Sequence, residues 1–218
     1  MTASEYFKDW LDVIDQAELG KLIPIINHLY STKPVVPAYG NIFKAFTLCG
    51  KTDCRAVFIG QDPYPQQGVA TGVLFGNPKD TKDISPSLQV IKDSVMSLDE
   101  SLASFRSFDI TMESWASQGI LMINSALTCE LNRVGSHVML WRPFLSKLLL
   151  NLSRDRGDIV YVLFGNQAQT FEPYIKGTIL KERHPAFYAR MNVPMPNKVF
   201  CDINAAISGE PIHWCGDS

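Results

Sequence analysis

Four short runs of apolar residues, at 55–59, 120–123, 159–164 and 178–180, punctuate this chain, and each stops at a polar or glycine-rich tip. Compact runs of this length, rich in β-branched and aromatic residues, read as buried strands. Between them the apolar spacing changes to that of helices. Residues 141–152 carry apolar side chains at 141, 144, 145, 148, 149 and 152, one face of a helix. Strands that alternate with helices cannot be joined by hairpins. They need right-handed crossovers, which make the strands parallel and put helices on both faces of the sheet. The expected fold is therefore α/β: one domain over 1–218, with a central four-stranded parallel sheet flanked by helices.

Other helices follow from local signals. Residues 4–30 show helical spacing, with Trp10, Leu11, Ile14, Leu19, Leu22, Ile25 and Ile26 as the buried stripe. Pro34, Pro37 and Gly40 end that segment, and 42–48 forms another short helix. Ser85-Pro86 opens a helix to about Met96, with Ser85 as N-cap and Pro86 as the first helical residue. Residues 112–118 form a short helix ending at Gly119, residues 167–174 another, and 200–207 the last.

In a parallel sheet of this kind, ligands bind beyond the carboxyl ends of the strands. The first tip reads Gly60-Gln61-Asp62-Pro63-Tyr64-Pro65. Its prolines prevent continuation of the strand, so the loop is stiff and fixes one carboxylate and one aromatic ring. Asn124 ends the second strand, Gly165-Asn166 the third, and His184 follows the fourth. An acid, an amide, a tight turn and an imidazole are thus expected around one cleft. Taken singly, each has an ordinary explanation: a turn-capping Asp, a strand-terminal Asn, a surface His before Pro.

Charge adds little. The formal net charge of −2 gives no global attraction to nucleic acid, although a local basic groove is compatible with it. No apolar stretch reaches the length of a membrane span. Residues 1–5 lack the basic-then-apolar order of a signal peptide. The five cysteines are scattered and match no zinc spacing, which points to reduced thiols in an intracellular protein.

Together the tips resemble the family 1 uracil-DNA glycosylases, over nearly the whole chain. Gly60–Tyr64 is similar to the family's water-activating motif, and Gly68, Ala70, Gly72, Phe75 and Pro78 keep the spacing of its continuation. Ser87-Leu88 resembles the proline-rich loop, and GILMINSALT (119–128) the strand that carries the base-reading asparagine. Ser136-His137 with Trp141, Phe164-Gly165 with Ala168-Gln169, His184-Pro185, and Pro211-Ile212 with Trp214 resemble its later landmarks. There are departures. Pro65 stands where most cellular members have His. HPAFYA (184–189) lacks the serines at 186 and 189 and the leucine at 188, and Asn166 replaces a loop serine. Pro65 and the 128–137 region are closer to viral members, poxviral ones included.

The resemblance implies hydrolysis of the N-glycosidic bond of deoxyuridine in a flipped-out nucleotide, with no cofactor and no metal. Asp62 and His184 would be catalytic. Gln61, Tyr64, Phe75 and Asn124 would hold the base. Ser87, Asn166 and Arg190 would contact DNA, aided by Lys181 and Arg183. Tyr188, or else Phe187, would be the wedge that fills the gap in the duplex. The expected partners are DNA, a proteinaceous inhibitor or replication proteins, acting on a monomer. The alternative is a DNA-binding module of the same fold that serves mainly as a replication partner.

Overall fold

The computed structural model describes residues 6–98 and 106–217. Its centre is a four-stranded, all-parallel sheet of β1 (Ala56–Gly60), β2 (Ile120–Asn124), β3 (Val160–Phe164) and β4 (Thr178–Glu182), in the order β2-β1-β3-β4. The expected class and strand count are observed, and every strand lies within two residues of its expected bounds.

Successive side chains of a strand point to opposite faces, and this divides the core in two. Val57, Ile59, Leu121, Ile123, Tyr161 and Leu163 face one layer. It is built from α1 (Gln16–Thr32), α2 (Lys44–Leu48) and α5 (Val138–Asp155). Ala56, Phe58, Ile120, Met122, Val160, Val162 and Phe164 face the other. That layer is built from α3 (Pro86–Met96), α4 (Glu113–Ala116), α7 (Pro185–Met191) and α8 (Lys198–Ala206). Both faces are covered, which is why these strands read as continuous apolar runs.

Some helical expectations need correcting. The segment 4–30 is not one helix: a 3-10 turn (Lys8–Asp12) precedes α1, and residues 4 and 5 lie outside the described residues. Asp15 divides them, because its carboxylate accepts the Glu18 N–H (2.9 Å) and caps α1. The apolar spacing continues across the break because Trp10, Ile14, Leu19, Leu22 and Ile26 enter one core cluster. Ile25, expected in that stripe, is exposed.

Residues 167–174 divide into α6 (Gly165–Gln169) and a 3-10 turn (Glu172–Tyr174), where Pro173 cannot donate to a continuing helix. Ser85 is the N-cap of α3 by position, but its hydroxyl makes no cap bond. It accepts instead from the buried Asn77 amide at 3.0 Å, and Asn77 Oδ1 accepts the Ser85 N–H at 2.6 Å. The strip after His184, which local signals left unassigned, is α7, with Pro185 in its first turn. Among the described residues, no helix is long and apolar enough to cross a membrane.

Candidate active site

The parallel register pairs Gly60 with Asn124, so β1 and β2 end side by side. A Cβ on Gly60 would lie 2.8 Å from Asn124 Oδ1 and 2.4 Å from Leu74 Cδ1. Glycine there lets the Leu74 and Asn124 side chains close over the end of β1 without moving aside. Asn124 Oδ1 is buried and has no hydrogen-bond partner. An unpaired buried carbonyl oxygen costs roughly 1–3 kcal/mol, so it marks a place where a donor is missing. Asn124 lines a cavity of about 270 Å³ together with Gln61, Asp62, Tyr64, Phe75 and His184.

The tip after β1 is stapled to the end of β2. The Gln61 carbonyl accepts from Ser125 Oγ (2.7 Å) and from the Ala126 N–H (2.9 Å), and the Gly60 carbonyl accepts the Ser125 N–H (3.0 Å). Asp62 then projects from a fixed backbone. Its Oδ2 accepts the backbone N–H of Gly135, and among the described residues Oδ1 accepts no hydrogen bond within the protein. Burial pushes the Asp62 carboxyl above the usual carboxylate range, and the Gly135 N–H only partly opposes this.

Phe75 lies at φ +62°, unusual for a bulky side chain. Its carbonyl is held by the Tyr64 hydroxyl and by Asn77 Nδ2, both at 3.3 Å. Its ring sits edge-on to Phe164 (5.3 Å) and to His184 (5.6 Å). Neighbouring Gly72 is at φ +84°, and a Cβ there would fall 1.9 Å from the Asn41 carbonyl oxygen, so only glycine lets the segment pass. Burial raises the Tyr64 phenol to about 12, which keeps it neutral.

His184 is the N-cap of α7. Its Nδ1 accepts the Ala186 N–H at 3.2 Å, so the proton of the neutral ring resides on Nε2. Burial, and secondarily the nearby Arg190 cation, lower its pKa to about 4. The ring is therefore a neutral donor at physiological pH. Gly165, at φ +84°, lets the turn after β3 approach this ring, since a Cβ there would meet His184 Cβ at 2.9 Å.

A second, more open cleft of about 520 Å³ shares Gln61, His184 and Arg190 with the first and adds Asn166, Arg183 and Phe187. Ser87, on the first turn of α3, is buried and lines the inner cavity. Tyr188 does not reach either cavity. It is 8% exposed, packs in the core, and its hydroxyl donates to Glu182 Oε1 at 2.7 Å. In a helix that begins at Pro185, residue 188, expected as the wedge, falls on the inward face. Phe187 is on the cleft side, half-buried, with the Arg183 guanidinium 4.5 Å from its ring centre.

The sequence reading missed the 131–137 loop as part of the cavity. Gly135 touches Asp62, and Val134, 64% exposed, lines the mouth. The available signal was Asn132 and Gly135, both of which adopt positive φ. Among the described residues no group of three or more His, Cys, Asp or Glu side chains is placed to hold a metal ion.

The family model of the uracil DNA glycosylase superfamily matches residues 46–208, which include every tip described above. The chain belongs to that superfamily. A curated uracil-DNA glycosylase of Campylobacter jejuni is 37% identical over 160 residues, 72% of this chain and 68% of that protein. One from Lachnoclostridium phytofermentans is 31% identical over 218 residues, covering 94% and 95%. Among solved structures of the superfamily, mimivirus uracil-DNA glycosylase shares the fold with a TM-score of 0.74 at 21% identity, covering 97% of this chain and 91% of that one. A variant of mimivirus UNG in complex with UGI aligns with a TM-score of 0.81 at 23% identity, covering 98% and 91%.

Proposed function

We propose that this protein is a monofunctional uracil-DNA glycosylase of the family 1 type, which hydrolyses the bond between C1′ and N1 of deoxyuridine in DNA. The observation that carries the reading is the pair of complementary groups facing one cavity. Asn124 offers an unpartnered buried carbonyl oxygen, and His184 offers a neutral Nε2–H. A uracil ring supplies the matching groups, an N3–H for Asn124 and an O2 acceptor for His184. Cytosine carries no N3 proton and would leave the buried oxygen unpaired, which is how a polar pocket rejects a near-isostere.

The target base has to leave the stack to enter the cavity. Phe75 presents a ring for it to lie against, and Tyr64 occupies the space next to its C5 edge. As the C1′–N1 bond breaks, the electron pair moves onto the pyrimidine and the sugar becomes an oxocarbenium ion. The His184 Nε2–H stabilises charge growing on O2. Asp62 stabilises the cationic sugar with its carboxylate and takes a proton from the water that adds to C1′. Asn166, Arg183 and Arg190 line the outer cleft and are suited to phosphates. No step calls for a cofactor.

The test is a set of matched oligonucleotides containing one U, T or C. Uracil is expected to be released, and thymine and cytosine retained. Equal treatment of the three would refute the assignment. Two further outcomes follow from the pocket. Tyr64→Ala should admit some thymine excision by opening room for a 5-methyl group, read by the same assay. Phe187→Ala should slow excision from duplex DNA more than from single strands, where no vacated stack needs filling. Equal losses on both substrates would remove Phe187 as the wedge.

The reading as a binding module of the same fold is not favoured. A grip on DNA alone gives no use for a neutral donor and an unpaired acceptor lining one cavity. The UGI complex of mimivirus UNG makes a proteinaceous inhibitor a reasonable partner to test here. DNA is the substrate in this reading, and the chain works as one domain.

A further inference from the structure

The contact between Gly135 and Asp62 raises the question of what holds Gly135. The 131–137 loop is tied down along its length. The Leu131 N–H donates to the Pro34 carbonyl and the Asn132 N–H to the Pro65 carbonyl, both at 2.9 Å. The Glu130 N–H donates to Ser136 Oγ at 2.8 Å. Asn132 at φ +58° and Gly135 at φ +79° fold the backbone on itself and aim the Gly135 N–H into the cavity. The last anchor is His137, 4% exposed. Its Nδ1 shares a hydrogen bond of 2.9 Å with Thr128 Oγ1, which also accepts from Trp141 Nε1 at 2.8 Å. Trp141 is fully buried in α5. His137 Nε2 is buried and has no partner. A core position that wanted only volume would be better filled by leucine, which strands no polar atom. The ring nitrogen facing Thr128 is the part with a use.

We propose that His137 is a positioning residue for Asp62: anchored through Thr128 to Trp141, it holds the 131–137 loop so that the Gly135 amide stays on Asp62 Oδ2 and Oδ1 is left for the attacking water. The inference rests on the proposed function for the role of Asp62. Other charges are accounted for. Glu130, Lys33 and Arg133 face His137, and Glu130 is paired with both cations. Among the described residues, the Cys129 thiol also faces Asp62, and burial, then Asp62 itself, keep it protonated.

Two substitutions in the full chain separate positioning from packing. His137→Leu keeps the volume and removes both nitrogens. His137→Asn keeps an oxygen where Nδ1 was. His137→Leu is expected to lower kcat roughly tenfold to hundredfold, the scale set by small misplacement of a reacting group, with KM and melting temperature close to wild type. Its Asp62 carboxyl, followed by 13C NMR, should titrate higher, because a looser Gly135 N–H stabilises the carboxylate less. His137→Asn should restore both kcat and the titration. Wild-type kcat with an unmoved Asp62 titration in His137→Leu would overturn the proposal. So would equal losses in the two variants, which would mean that His137 serves packing. A wild-type chain that releases no uracil defeats the proposed function instead, and the Asp62 titration on the same samples still decides whether His137 controls the Gly135 contact.

Discussion

Replacing Asp62 with Asn is expected to slow uracil release roughly hundredfold to ten-thousandfold, the range general-base groups contribute, without weakening the fold. The amide keeps an oxygen that can accept the Gly135 N–H, the hydrogen bond Asp62 makes within the protein. It loses the negative charge that would stabilise the sugar cation and the basicity that would take the water's proton. Stability should move the other way. A carboxyl whose folded pKa lies above its unfolded value binds protons more tightly when folded, so its contribution to stability falls as pH rises through that range. At neutral pH the buried carboxylate is a cost, and the neutral isostere removes it. Asp62→Asn is therefore expected to melt at or above the wild-type temperature while losing activity. Near-native turnover would overturn the assigned role, and a large drop in melting temperature would show that the carboxylate holds the loop.

The second large effect concerns His184. Losing a preorganised donor to a developing oxyanion costs roughly hundredfold to thousandfold in rate, and His184→Ala should show a loss of that order. The alanine variant also removes the cap on α7, worth about 0.5–2 kcal/mol, so activity and stability would fall together. His184→Asn separates them. Its side-chain oxygen can still accept the Ala186 N–H, while nothing replaces Nε2–H. It should melt near wild type and be as slow as the alanine variant. The pH dependence follows. With the folded pKa lowered to about 4, His184 stays neutral at physiological pH, and no inflection near 6.5 should arise from it. The acid limb of kcat/KM should instead report the carboxyl of Asp62, above the ordinary carboxylate value. 15N NMR of the free protein should find His184 neutral and protonated on Nε2 at pH 6. A ring that titrates near 6.5 would contradict this.

The sheet was legible because its signals are local and redundant. Each strand is an apolar run ended by a turn residue, and the alternation with helices leaves one way to order the chain directions. The polar tips were legible for the same reason, since a parallel sheet collects them at one edge. What escaped depends on contacts between distant segments. The break before α1 depends on the Asp15 cap, which an uninterrupted apolar stripe conceals. The helix after His184 is short and opens with proline, so no apolar spacing announces it, and the capping imidazole shows only in the structure. Its geometry turns Tyr188 toward Glu182 and leaves Phe187 at the cleft. Asn132 and Gly135 signal a turn, but local spacing does not show that the Gly135 N–H reaches Asp62 across 73 residues.

If the cavity beyond β1 and β2 binds an extruded uracil, water alone completes the reaction. The most direct measurement incubates the protein, in chelator and without added cofactor, with a duplex containing a single uracil. Free uracil and strand integrity are followed in parallel. The expected result is stoichiometric release of free uracil and a strand that stays intact until alkali cleaves the abasic site. Absence of free uracil from folded protein, or a strand cut without alkali, would contradict it.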